Sequence, residues 1–102
     1  MTPARAKLGE EDLAAALRTL PSWKIQDGKL HREYRFKDFV DAWGFMSSAA
    51  LIVQAMDHHP EWFNVYHTVR IDLTTHDAGG ITSRDVELAR ALESLASSDR
   101  RG

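Results

Sequence analysis

Apolar side chains recur along the chain with two different periods, and the switches between them lay out the elements. Leu13, Ala16, Leu17 and Leu20 fall at helical spacing behind Glu10, Glu11 and Asp12, acids that suit the positive end of a helix starting near Gly9. Pro21 ends this helix because it has no N–H to continue the ladder. Residues 23–25 and 30–37 then adopt the two-residue period of strands, and Asp27-Gly28 in the 26–29 turn between them is a strong hairpin signal. In the second strand Leu30, Arg32, Tyr34 and Phe36 share one face, while His31, Glu33, Arg35 and Lys37 share the other.

The helical period returns from Phe39 to about His58, with Asp38 as N-cap and Asp41 three residues on. Phe39, Trp43, Met46, Ala50 and Val53 form its stripe, widened by Ala42, Ala49 and Met56. Phe45 lies beside that stripe and reads as a spare apolar side chain for helix–helix association. Pro60 predicts the stop. Residues 61–65 and 69–75 read as strands, with Val69, Ile71, Leu73 and Thr75 toward the core and Arg70, Asp72, Thr74 and then His76 on the opposite parity. A loop over 76–80 leads to the last helix, where Thr82 is the N-cap, Asp85 the acid three residues in, and Ile81 can staple onto Val86. Leu88, Ala89, Leu92 and Leu95 form its apolar face, and the polar ends, residues 1–8 and 97–102, read as loose. The order α-β-β-α-β-β-α predicts one α+β domain over residues 1–102, ordered from about 8 to 96. A four-stranded antiparallel sheet is expected, with three helices packed on one face.

Composition narrows the functions. At 102 residues, 43% apolar and 27% charged, the chain has the make-up of an ordinary single globular domain. A formal charge of −2 gives no basic excess for wrapping a nucleic acid. With no cysteine there is no disulfide, thiolate metal site or thiol nucleophile, which suits a reducing, cytoplasmic setting. No uninterrupted apolar run reaches about 18 residues, so no membrane span is expected, and the N-terminus does not read as a secretory signal.

Candidate chemistry is concentrated in Asp57-His58-His59-Pro60-Glu61-Trp62 and in His76-Asp77-Ala78-Gly79-Gly80, each placed where a regular element ends. Imidazole titrates near neutrality, so a set of histidines can hold one ring as an acid and another as a base. The dipole at the end of the long helix and the neighbouring Asp57 both favour the charged ring at His58 and His59. Each residue also has a plainer explanation. A lone histidine at a helix end is more often a cap or a surface group, and His31 and His67 read as surface residues. Trp62, Phe63 and Tyr66 read as core and pocket wall, and Asp85 as a helix cap. A three-histidine metal site and a non-catalytic binding module built on the long helix both remain open from the residues alone.

Taken together, the two clusters resemble a known pattern. The stretch from Asp57 through His58, His59, Pro60, Glu61, Trp62, Phe63, Asn64 and Val65 to Tyr66 is similar to the signature of the pterin-4a-carbinolamine dehydratases. The similarity continues through Val69, Ile71, Leu73, Thr75-His76-Asp77, Gly80 and Thr82. Upstream it takes in Trp23, Phe36-Lys37-Asp38-Phe39 and Gly44-Phe45-Met46, so that it covers about residues 8 to 96. It implies a hydro-lyase that removes water from 4a-hydroxytetrahydropterin to give the quinonoid dihydropterin, recycling the cofactor of an aromatic amino acid hydroxylase. It implies His58, His59 and His76 as catalytic residues, a pterin site drawn from Trp23, Asp57, Pro60, Trp62, Thr75 and Asp77, and no metal or cofactor. It also implies a homodimer or homotetramer, formed in part through the long helix, and in some animal members a second role as a transcription-factor dimerisation partner. One position departs from the pattern. Some members carry Glu three residues before the Asp-His-His run, where this chain has Gln54, whose amide can hydrogen-bond in its place.

Overall fold

The computed structural model describes residues 6–99. It contains α1 (Glu10–Arg18), β1 (Lys24–Gln26), β2 (Lys29–Arg35), α2 (Phe39–Met56), β3 (Glu61–Val65), β4 (Thr68–Leu73) and α3 (Ser83–Asp99). The strands form one antiparallel sheet in the order β1-β2-β4-β3, and the three helices form the second layer, as the sequence predicts. Both hairpins have two-residue connections. Asp27 and Gly28 both take positive φ (54° and 77°), the backbone that matches strand twist in a tight hairpin.

Strand alternation decides which sheet face meets the helices. Leu30 and Tyr34 of β2 and Val69, Ile71 and Leu73 of β4 are buried on one face, against Phe45, Ala49 and Val53 of α2 and Leu88 and Leu92 of α3. The other face carries Glu61, Phe63 and Arg70 and is open. One hub ties α3 to the sheet. Glu93 accepts from Trp23 Nε1 (2.9 Å), Tyr34 Oη (2.7 Å) and Arg32 Nε (3.2 Å), and the Arg32 guanidinium also lies 3.9 Å over the Tyr34 ring. Burial would raise the Glu93 carboxyl, but the donors Arg32, Tyr34 and Trp23 outweigh it and hold the group below its ordinary value. Burial and the Glu93 carboxylate together push the Tyr34 hydroxyl far up.

Five expectations are corrected. Phe45 is not a spare residue beside the stripe but the centre of the buried face of α2, fully enclosed and packed on Tyr34 and Phe36. Phe39, Trp43 and Ala50 of the expected stripe are exposed instead, together with Val40 and Leu51. α2 is apolar nearly all round, so periodicity alone could not say which side faces in. With 18 residues and a mean hydropathy of 1.3, α2 is also long and apolar enough by length and composition to cross a membrane, contrary to the reading of apolar runs. Its inner residues Ala42, Phe45, Ala49 and Val53 are committed to the core. The ends are better held than expected. Leu8 N–H donates to Ile81 O at 2.8 Å, and α3 continues to Asp99, while residues 1–5 and 100–102 of the expected loose ends lie outside the described residues. Finally, His31 is not a surface residue: only 9% exposed, it pairs with Asp72.

Candidate active site

The histidines are placed by how α2 stops and how β4 ends. α2 ends at Met56, two residues before the expected boundary, because Asp57 turns into the left-handed region (φ 52°). Asp57 N–H then bonds to Gln54 O (3.1 Å) and His58 N–H to Val53 O (3.2 Å), the paired bonds of a Schellman cap. Arg84 of α3 donates through Nη2 to Met56 O (2.8 Å) and Asp57 O (3.0 Å), satisfying carbonyls that the helix end leaves free. His58 and His59 therefore sit on a braced turn that leads straight into β3. At the far end of β4, a 3-10 turn (His76–Ala78) is closed by the Thr75–Gly80 bridge. Because Glu61 lies opposite Asp72 in the β3–β4 ladder, the start of β3 and the end of β4 meet at one end of the sheet. His58 and His59 stand just before β3 and His76 just after β4, at this end of the sheet.

Each histidine is held by a different partner. His58 is buried, and its Nε2 lies 2.5 Å from Asp85 Oδ1. Asp85 is fully enclosed, and its other oxygen accepts from Thr75 Oγ1 and from Thr82 N–H, each at 2.8 Å. Thr82 Oγ1 in turn accepts from Arg84 N–H (3.2 Å) and donates to Thr75 (2.8 Å). Asp85 is thus the helix cap that the sequence predicts, accepting back from Thr82 N–H, and also the partner of His58. His59 is exposed, and its Nε2 donates to Gln54 Oε1 at 3.2 Å, so the amide at the departing position does reach a histidine. His76 is exposed, with Nε2 3.4 Å from Glu61 Oε2, while Glu61 Oε1 accepts from Lys29 Nζ at 2.7 Å. The hydrogen bond from Lys29 holds the Glu61 carboxyl below its ordinary value, His76 adding to the effect, and Glu61 raises Lys29 in return.

The remaining expected site residues divide. Asp57 and Asp77 are exposed beside the histidines, Pro60 is half-buried between them and β3, and Thr75 is buried as the donor to Asp85. Trp62 is half-buried against the core. Trp23 is not with this group: it lies buried in the core with its indole N–H on Glu93. Below the histidines, the open sheet face holds a pocket of about 350 Å³ lined by Gln26, His31, Glu61, Phe63, Arg70 and Asp72, which Trp62 also reaches. Among the described residues, no three His, Cys, Asp or Glu side chains gather closely enough to hold a metal ion. Asp85, Glu61 and Gln54 are the partners that sequence reasoning did not assign to the histidines.

A family model for pterin 4 alpha carbinolamine dehydratase matches residues 6–95. The chain belongs to this family. A family protein of Solibacter usitatus, provisionally named pterin-4-alpha-carbinolamine dehydratase, is 59% identical over 90 residues, covering 88% of this chain and 95% of its own. One of Rhodopseudomonas palustris with the same provisional name is 54% identical over 92 residues, covering 88% and 91%. A crystal structure from Brucella melitensis, described as a transcriptional coactivator/pterin dehydratase, superposes with a TM-score of 0.85 at 43% identity, over 88% of this chain and 98% of that one. A pterin dehydratase-like protein described as a RuBisCO assembly factor in the alpha-carboxysome shares the fold at a TM-score of 0.64 and 20% identity, over 74% of this chain and 89% of that one.

Proposed function

We infer that this member of the pterin dehydratase family converts 4a-hydroxytetrahydropterin into quinonoid dihydropterin and water, by proton transfer among His58, His59 and His76. What supports the reading is that all three histidines stand by one end of the β3–β4 ladder, His58 hydrogen-bonded to Asp85, His59 to Gln54, and His76 within 3.4 Å of Glu61. The reaction breaks the C4a–O bond with a proton delivered to the departing oxygen, removes the proton on N5, and leaves a C4a–N5 double bond. One acid and one base suffice, and a positioned group of either kind typically contributes about 10²–10⁴-fold. His59 and His76 have exposed rings and suit direct exchange with substrate, while His58, fixed through Asp85, holds a defined orientation beside them. Asp57, Pro60, Trp62, Thr75 and Asp77 surround or support these rings and make up the substrate site. Trp23 supports the fold behind it through Glu93.

The chain then serves pterin recycling in the cytoplasm alongside an aromatic amino acid hydroxylase. Self-association into a homodimer or homotetramer through the outer face of α2 is part of this reading. Val40, Trp43 and Leu51 are exposed there, an apolar surface larger than scattered single residues would make. The same face favours the second reading, a protein-binding module, and the two roles are compatible. The deciding experiment supplies purified protein with 4a-hydroxytetrahydropterin generated by a hydroxylase and follows its loss by absorbance. A rate equal to the uncatalysed one would leave binding as the function.

A further inference from the structure

His76 needs an anchor that its own loop does not supply. Its side chain is 80% exposed, and a ring free to turn about its side-chain bonds loses the alignment that proton transfer demands. Asp77 beside it is also exposed. Among the described residues the ionic partner of His76 is Glu61, whose Oε2 lies 3.4 Å from Nε2. Glu61 is held in turn from its other side, where Oε1 accepts from Lys29 Nζ at 2.7 Å. The three residues come from different elements. β2 begins at Lys29, β3 begins at Glu61, and His76 follows the end of β4. In the sheet order β1-β2-β4-β3, Lys29 and Glu61 stand on either side of β4, so the lysine chain crosses the end of that strand to reach the carboxylate. We propose that Lys29 and Glu61 are positioning residues that hold His76 as its Nε2–H tautomer, so that the Nδ1 lone pair is the base that takes the N5 proton. The proposal rests on the dehydratase reading and assigns a role within it.

An ionised carboxylate only accepts, so the ring nitrogen that faces it carries the hydrogen, and in the neutral ring the other nitrogen keeps the lone pair. When Nδ1 takes the N5 proton, the N–H electron pair becomes the second bond between C4a and N5. The C4a–O pair leaves with the oxygen, which receives its proton from the acid of the set. The positive charge that then appears on the His76 ring lies against the Glu61 carboxylate, a fixed countercharge where charge develops. Lys29 has two effects on this arrangement. Its hydrogen bond is the main influence that holds the Glu61 carboxyl below its ordinary value, so the acceptor stays ionised. It also occupies one carboxylate oxygen and thereby fixes the direction of the other. Glu61, Asp72 and Asp27 keep the lysine charged in return. An exposed ion pair adds little to stability, so removing it leaves the fold standing and isolates the effect on His76.

The test is a mutant cycle read by nitrogen-15 NMR of the His76 ring and by steady-state dehydration, with circular dichroism on each variant. Glu61→Gln leaves one carbonyl oxygen where two acceptors stood. The Lys29 ammonium takes that oxygen, and the amide N–H₂ is turned toward His76. The neutral ring is then expected to hold the Nε2–H form no longer alone. The kcat falls about tenfold with KM nearly unchanged, within the hundredfold that a misplaced group can cost. Lys29→Met combined with Glu61→Gln lets the amide turn its carbonyl to His76, and is expected to restore the tautomer and most of the lost rate. A purely structural role for the pair predicts no such recovery. An undiminished rate in Glu61→Gln, or a double variant no faster than that single one, overturns the proposal and leaves the dehydratase standing. So does a lost rate with the tautomer unchanged. A wild-type rate equal to the uncatalysed one removes the dehydratase reading and this assignment together.

Discussion

Replacing Asp85 separates its role as helix cap from its role as the partner of His58. Asp85→Ala removes the acceptor for Thr82 N–H and leaves the Thr75 hydroxyl and His58 Nε2 enclosed without their partner. Removing one member of a buried hydrogen-bonded pair costs about 3–5 kcal/mol. A chain of this size has about 5–15 kcal/mol in total, so the variant folds with little to spare. At about 4–8 °C per kcal/mol, its melting temperature falls by roughly 12 °C or more. Asp85→Asn is the gentler and more informative change. Its carbonyl oxygen can take the place of Oδ2 and keep Thr75 and Thr82 as donors. Its amide N–H₂ then faces His58 Nε2, which must present a lone pair instead of a hydrogen. The loss is about 1–2 kcal/mol, the difference between charged and neutral hydrogen bonds. The tautomer of His58 is reversed, however, and the dehydration rate is expected to fall by at least about tenfold. Urea denaturation gives the stability, nitrogen-15 NMR of the imidazole gives the tautomer, and steady-state kinetics gives the rate. A variant with the reversed tautomer and an undiminished rate would refute the assignment of His58 to the proton chemistry.

Three more outcomes are expected. His59→Ala and His76→Ala each lose at least about tenfold in rate while remaining folded, and the double variant loses less than the product because the groups act as a unit. His67→Ala is the control, since His31 is enclosed in its pair with Asp72. The depressed Glu93 carboxyl contributes stability that is complete above its unfolded value near 4.5 and is lost as pH falls through the lower folded value. Urea midpoints at about pH 7 and about pH 3 should therefore differ less for Glu93→Gln than for wild type. On α2, Trp43→Asp is expected to lower the sedimenting mass with little loss of thermal stability, whereas Phe45→Asp unfolds the domain by placing an unpaired charge in its core.

The strands were legible because a half-buried sheet imposes a period of two. Val69, Ile71 and Leu73 point inward as their alternation requires, and Asp27-Gly28 turns the chain where its backbone preference puts it. The inner face of α2 was not legible, because Phe39, Val40, Trp43 and Leu51 outside match Phe45, Ala49 and Val53 inside in apolar character. Pro60 signalled that α2 must stop, but the stop itself lies in the left-handed backbone of Asp57, which side-chain pattern does not encode. The two histidine clusters were visible as composition at element ends. Their partners were not. Asp85 already has a local partner in Thr82 N–H, so nothing in its neighbourhood points to His58, 27 residues upstream. Glu61 reaches His76 only because strand pairing closes that gap.

The Glu93 hub also bears on the order in which this chain acquires its shape. Its bonds to Trp23, Arg32 and Tyr34 join residues 59–70 positions apart, while both hairpins close over a few residues. In equilibrium the longer loop matters little, since closure entropy grows only with the logarithm of length. In time it matters more, because distant contacts must wait for the segments between them to be drawn in. By this measure the two hairpins close first, whereas β2 meets β4 over 33 to 43 residues and Asp85 meets His58 over 27, so the joined sheet and the Asp85–His58 contact are both non-local. The ring of His58 therefore owes its fixed orientation to a contact that the hairpins alone cannot supply, and a state with formed hairpins but undocked α3 would hold the histidines without the Asp85 alignment.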